Sequence, residues 1–207
     1  APHPTRAARP PMTMPGAGGG FDVRSLVLGD FEAEMAVTRQ VLACVATPDL
    51  AWTLHPRAMA LGRLAAHIAD IPRWTSSILR SDGYDASASS APTGTVDDVA
   101  ALRAAFERNV EAGRARLLAA AQDELLVPWV LRSAGRTLIT LTRAQSVHVF
   151  VVNHVVHHRG QLIVALRLRG APVAEPYDPA GGPHSRAVSG LGEHVADHLG
   201  LDTDLDR

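Results

Sequence analysis

Lysine is missing from this chain. All 20 basic side chains are arginine, set against 21 acidic ones, for a formal net charge of −1. That balance leaves no basic excess for a phosphate backbone, so a dedicated nucleic-acid binder is not expected. The single cysteine, Cys44, excludes an intramolecular disulfide and fits a reducing cytoplasm. Aromatic residues make up only 4% of a chain that is 46% hydrophobic, so its core must consist mainly of Leu, Val, Ala and Ile. No apolar run approaches the roughly 20 residues of a membrane span, and no membrane partner is expected. The opening stretch, APHPTRAARPPMTMPGAGGG, has arginines but no apolar run after them. It does not read as a secretory signal, which again makes the cytoplasm the expected location.

What is present is helical periodicity. At 207 residues the chain suits one domain with an appendage. Residues 1–20, rich in Pro and Gly, are expected to be disordered. From Asp22 to Ala46, Leu26, Phe31, Met35, Leu42 and Val45 mark one apolar face. A second helix is expected from near Pro56 to Leu79, with a kink or break at Pro72. SDGYDASASSAPTG reads as a loop. Thr95 and Asp98 resemble a capping box for a third helix, from Val96 to about Gln122. LLVPWVLRSAGRTLITLT, split by Ser133-Ala134-Gly135, reads as a β-hairpin whose first strand Pro128 would confine to an edge. Thr142 can cap a fourth helix that Gly170 and Pro172 stop. The pattern predicts an all-α, up-down four-helix bundle with a small hairpin before helix four. Its bounds are 21–177, and 178–207 form an extension in which HSRAVSGLGEHVADHLG can make a short helix.

The histidines carry the chemistry. HVVHHRGQL, residues 154–162, holds three in five positions. His154 and His158, four apart, share one face of a helix, with Cβ atoms about 5–6 Å apart. Two imidazoles so placed can hold one divalent ion at about 2.0–2.1 Å. That face also carries Val147, Val151 and Leu162, so it should point inward. His157 is an alternative partner for His154 at the i+3 spacing. The plainer alternative is a set of polar residues at a helix end, bonded to water or backbone. His67, in LAAHIADIP, lies on a mostly apolar stripe of helix two. It is either a satisfied core residue or a ligand from a second helix, and bundle metal sites are built from such facing side chains. Three neutral ligands would leave an ion its full charge and at least one open position.

Other residues are weighed in the same way. His194 and His198 repeat the four-residue spacing but lack an evident third ligand, so a solvated face is the simpler reading. Asp70 and Gln161 can orient a ligand from behind or be ordinary surface groups. Trp74 can line the cleft or pack in the core. Arg159 can meet an anion or pair with another helix, and His148 is expected to be structural or solvent-facing. Cys44, among Val41, Ala43 and Val45, reads as a small buried hydrophobe.

MALGRLAAHIADIPRW followed by HVVHHRGQL resembles the DinB/YfiT-like superfamily of metal-binding four-helix bundles, over about Asp22 to Tyr177. The resemblance implies His67, His154 and His158 as ligands of one divalent ion, nickel or zinc first, iron or manganese next, with His157 a neighbour. A homodimer is expected, and the resemblance also implies relatives that act as thiol-dependent transferases or isomerases. Their co-substrate is a low-molecular-weight thiol such as mycothiol, bacillithiol or glutathione, and their other substrate a small electrophile. A hydrolase using bound water and a non-enzymatic metal-binding stress-response protein are the alternatives. No catalytic side chain is assigned. The family's closing Tyr-Gly-Pro-Ser-like turn is replaced here by PYDPAGGPH.

Overall fold

Asp22 opens the first helix by accepting the Arg24 N–H on its carboxylate at 3.0 Å, which satisfies one of the free donors of the first turn. The computed structural model describes residues 22–88, 98–173 and 175–177. The expected disorder over 1–20, the short helix in the C-terminal extension, Thr95 and the pair His194 and His198 lie outside those residues.

Helix α1 spans Val23–Ala43, ending short of the expected Ala46. The second helix begins later than expected. Pro56 lies in a turn, where the Thr53 hydroxyl donates to the His55 carbonyl and the His55 ring accepts the Arg57 N–H. Helix α2 starts only at Leu61 and runs to Asp70. A single 3₁₀ turn, Ile71–Arg73, then carries Pro72, and α3 follows over Trp74–Arg80. The break expected at Pro72 is there, because proline has no N–H to donate into the helix. Gly113 of the next helix sits against this turn: a Cβ there would lie 3.0 Å from the Phe31 ring and 3.1 Å from the Pro72 carbonyl oxygen.

Helix α4 spans Val99–Ala119, and the Asp98 carboxylate caps it at the Ala100 N–H. It stops before Gln122 because Ala120 and Ala121 are extended, and Gln122–Leu126 forms a separate short helix, α5. The expected hairpin is present but belongs to a three-stranded sheet. Strands β2 (Pro128–Ser133) and β3 (Arg136–Thr142) are antiparallel across a turn at Ala134 and Gly135. Strand β1 (Gly83–Asp85), from the segment read as loop, joins β2 in parallel. Strand β2 is therefore central, and the edge position expected from Pro128 is corrected. Pro128 is the first residue of β2, and β1 begins its pairing only at Val130, so the missing N–H breaks no ladder. Asp85 ties the sheet together by accepting the Ala134 and Gly135 N–H groups.

The last helical run begins with a full capping box: the Thr142 hydroxyl accepts the Gln145 N–H and the Gln145 side chain accepts the Thr142 N–H. It continues as α6 (Arg143–Val147), a π-helical segment (His148–Val152) and α7 (Asn153–Leu168). Gly170, at φ +77, adopts the left-handed conformation that ends the run, a place where glycine avoids the cost of a Cβ. Helix α1 packs on α4 and α7, and α2 packs on the same two. Between them Phe31, Met35, Ile68, Phe106, Leu117, Val155 and Leu162 are fully buried. Each contributes roughly 1.5–3 kcal/mol on burial. The molecule is mostly helical with one small sheet, and this frame sets α2 beside α7.

Candidate metal centre

The buried stripe of α7 and the π-helical segment before it runs through Val151, Val155, Arg159, Leu162 and Leu166. His154 and His158 stand one position to the side of that stripe, on the flank toward α2, and are half-buried. The expectation that they point straight into the core with Val147, Val151 and Leu162 is therefore corrected. They lie at the margin, partly open to solvent. From α2, His67 meets them. Its Nε2 is 3.3 Å from the His154 Nε2, which is 2.9 Å from the His158 Nε2. One nitrogen from each ring falls within 4.8 Å of the others.

The hydrogen bonds behind the rings decide what these nitrogens can do. The His154 ring donates to the backbone carbonyl of Phe150, one turn earlier. Since its Nε2 faces the other histidines, the donor is Nδ1. The His158 Nδ1 lies 2.9 Å from Gln161 Oε1, which can only accept, so that nitrogen too holds the proton. Both neutral rings thus present unprotonated Nε2 atoms 2.9 Å apart. Two lone pairs at that distance repel unless a cation lies between them. For metal–nitrogen bonds of about 2.0–2.1 Å, ligand atoms at right angles are about 2.9 Å apart and tetrahedral ones about 3.3 Å. The two observed separations match these edges, and the donor set fits a borderline divalent ion.

Electrostatics point the same way. Burial, and then the neighbouring imidazoles, push the His154 pKa down to about 4. Burial and the nearby His158 lower that of His67, and burial lowers that of His158. All three are neutral at pH 7, as ligation requires. Trp74 walls the site, with its ring centroid 5.9 Å from that of His67 and 5.1 Å from that of His154.

The remaining candidates divide cleanly. His157 is exposed; its ring lies against that of His158 but its Nε2 turns to Gln161 and is not among the three converging nitrogens, so the i+3 alternative is not the arrangement adopted. Gln161 hydrogen-bonds one of the three histidines, while Asp70 does not. Its carboxylate accepts from Arg73 at 2.8 Å and from the Trp74 indole at 3.4 Å. Arg159 is buried on another flank and pairs with Glu34 of α1 at 2.6 Å. His148, 48% exposed, lies 3.5 Å from the Asp30 carboxylate. Cys44 is only half-buried, a correction to its reading as a core residue. The Phe150 carbonyl and the link between Gln161 and His157 were not anticipated. The first had a signal available, since a helical side chain leans back over the turn before it.

The DinB family model matches residues 23–181. No curated protein matches the chain. Among solved structures, a DinB-like protein of Bacillus subtilis is 15% identical and aligns with a TM-score of 0.55, over 73% of this chain and 97% of that one. A DinB-like protein of Bacillus cereus is 19% identical, with a TM-score of 0.57, over 72% and 94%. At such identities these two speak for the fold alone. The family match spans most of the chain, and the chain belongs to the DinB family.

Proposed function

We propose that His67, His154 and His158 hold one divalent metal ion, nickel or zinc first, and that the protein uses it as a thiol-dependent S-transferase or isomerase. The observation that carries the metal reading is the pair of unprotonated Nε2 atoms 2.9 Å apart, each ring fixed from behind by a hydrogen bond. Three neutral imidazoles from two helices occupy one side of such an ion and leave the other open. A divalent ion bound there supplies Lewis acidity, which lowers the pKa of a thiol that reaches it. The chain's own residues do the rest. The histidines leave the ion its whole charge, and Trp74 excludes water from one side. No side chain of the chain need act as nucleophile. The family resemblance, not the geometry, is what favours a thiol over water as the reacting group.

The wider reading is an up-down four-helix bundle, made by α1, by α2 with α3, by α4, and by α6 with α7. Its domain is 21–177, and it works as a homodimer in the cytoplasm. The packing of α1 and α2 on both α4 and α7 supports the bundle. Val164 and Leu168, 50% and 59% exposed on the outer face of α7, support a dimer.

The test is metal content by elemental analysis of the wild type, His67→Ala and His158→Ala. About one ion per chain, lost in both variants, is expected. An ion retained in both would overturn the assignment. Thiol transfer from mycothiol, bacillithiol or glutathione to a model electrophile, with and without chelator, tests the reaction. Metal bound without such transfer would favour the non-enzymatic reading.

A further inference from the structure

Gln161 has two polar ends, and the structure uses both. Its Oε1 lies 2.9 Å from the His158 Nδ1, and its amide nitrogen lies 3.1 Å from the Nε2 of His157. A carbonyl oxygen only accepts and an amide N–H only donates. The His158 proton is therefore on Nδ1, and the exposed His157 must offer a lone pair on Nε2 and carry its own proton on Nδ1.

We propose that Gln161 is a positioning residue that sets the tautomer of His158, and that through it occupancy of the metal site is read out in the tautomer of His157 on the surface. This rests on the metal reading above. Turning the amide by about half a revolution produces a second arrangement in which every group is again satisfied. The Gln161 N–H then donates to the His158 Nδ1, and Oε1 accepts from a proton on the His157 Nε2. His158 now carries its proton on Nε2, 2.9 Å from the His154 Nε2, and donates a hydrogen bond across the gap. Neither ring changes its number of protons; each loses one from Nδ1 to water and gains one from water at Nε2. A metal binds only the first arrangement, since only there does His158 present a lone pair. A ligand that binds one of two states shifts the population toward it. The metal-free protein takes the second state, because the first leaves two lone pairs facing.

Zinc is the probe, being diamagnetic. Two-bond proton–nitrogen correlation spectra of uniformly ¹⁵N-labelled full chain report each tautomer, in zinc-loaded and chelator-treated protein. The expected result is His157 protonated at Nδ1 with zinc and at Nε2 without it. In Gln161→Leu, His157 no longer responds to zinc, and zinc affinity, read by competition with a chromophoric chelator, falls about 10- to 100-fold. Gln161→Glu, whose carboxylate still accepts from the His158 Nδ1, restores most of that affinity. Gln161 is exposed, so neither variant threatens folding. An unchanged His157 tautomer, or wild-type zinc affinity in Gln161→Leu, overturns the proposal while leaving the metal site standing. Failure of zinc to shift the signals of His67, His154 and His158 in the wild type overturns both.

Discussion

Two flanks of α7, one residue apart, handle buried polarity in opposite ways. Arg159 is 1% exposed, yet both terminal nitrogens of its guanidinium are engaged. It pairs with the Glu34 carboxylate at 2.6 Å, donates to the Glu34 carbonyl and the Thr38 hydroxyl, and meets the Tyr177 hydroxyl. Next to it, His158 meets His154 nitrogen to nitrogen, and His154 in turn meets His67, with the protons on the wrong side to bridge the shortest gap. A buried polar group whose partners are all present is a structural device: it ties α7 and Tyr177 to α1. A group whose partners complete each other only around a cation is a candidate binding site. Adjacent residues with similar side-chain polarity thus divide into scaffold and site by what their neighbours leave unsatisfied.

The sharpest way to break the comparison is Arg159→Leu. It strands the Glu34 carboxylate beside the core and should cost about 3–5 kcal/mol, read from the urea midpoint at unchanged slope. Metal bound per folded chain should not change, because the scaffold flank holds no ligand. Removing a metal bound as proposed should touch only the other flank. At free zinc 100 times its Kd, the wild type should be about 2.7 kcal/mol more stable than in chelator, and His67→Ala should show none of that difference.

Acid sharpens the contrast further. The site histidines are held below the ordinary value of 6.5, His154 at about 4. Between those limits the unfolded chain binds protons that the native chain does not, so stability rises with pH across the window. In chelator, the melting temperature should be highest above pH 6.5 and fall as the pH drops toward 4, and His154→Ala should flatten that slope. The smallest effect belongs to an ion pair in open solvent. Arg39 and Glu107 are 2.6 Å apart with side chains 45% and 49% exposed, and Arg39→Ala should cost less than about 1 kcal/mol, vanishing in high salt.

Much of this was legible in the chain itself. Helical periodicity located all the long helices, because an apolar face must repeat every three to four residues to be buried. Thr142, Pro72 and Gly170 marked a start, a break and an end through properties of their own backbones and side chains. The pair His154 and His158 was visible because one helix turn relates them. The misses share a cause. The late start of α2 depends on hydrogen bonds in the Thr53–Arg57 turn. Strand β1 is three residues long and exists only because β2, far along the chain, pairs with it.

Local order therefore determined the helix-rich character, the capping and the histidine spacing, all of which depend on residues within a turn or two of one another. Tertiary structure decided the rest: that β2 is central despite Pro128, that Arg159 is scaffold, and that His67 comes within 3.3 Å of His154 from 87 residues away. Which side of a histidine carries its proton was also decided in space, since a tautomer follows the nearest acceptor and no periodicity records where that acceptor lies.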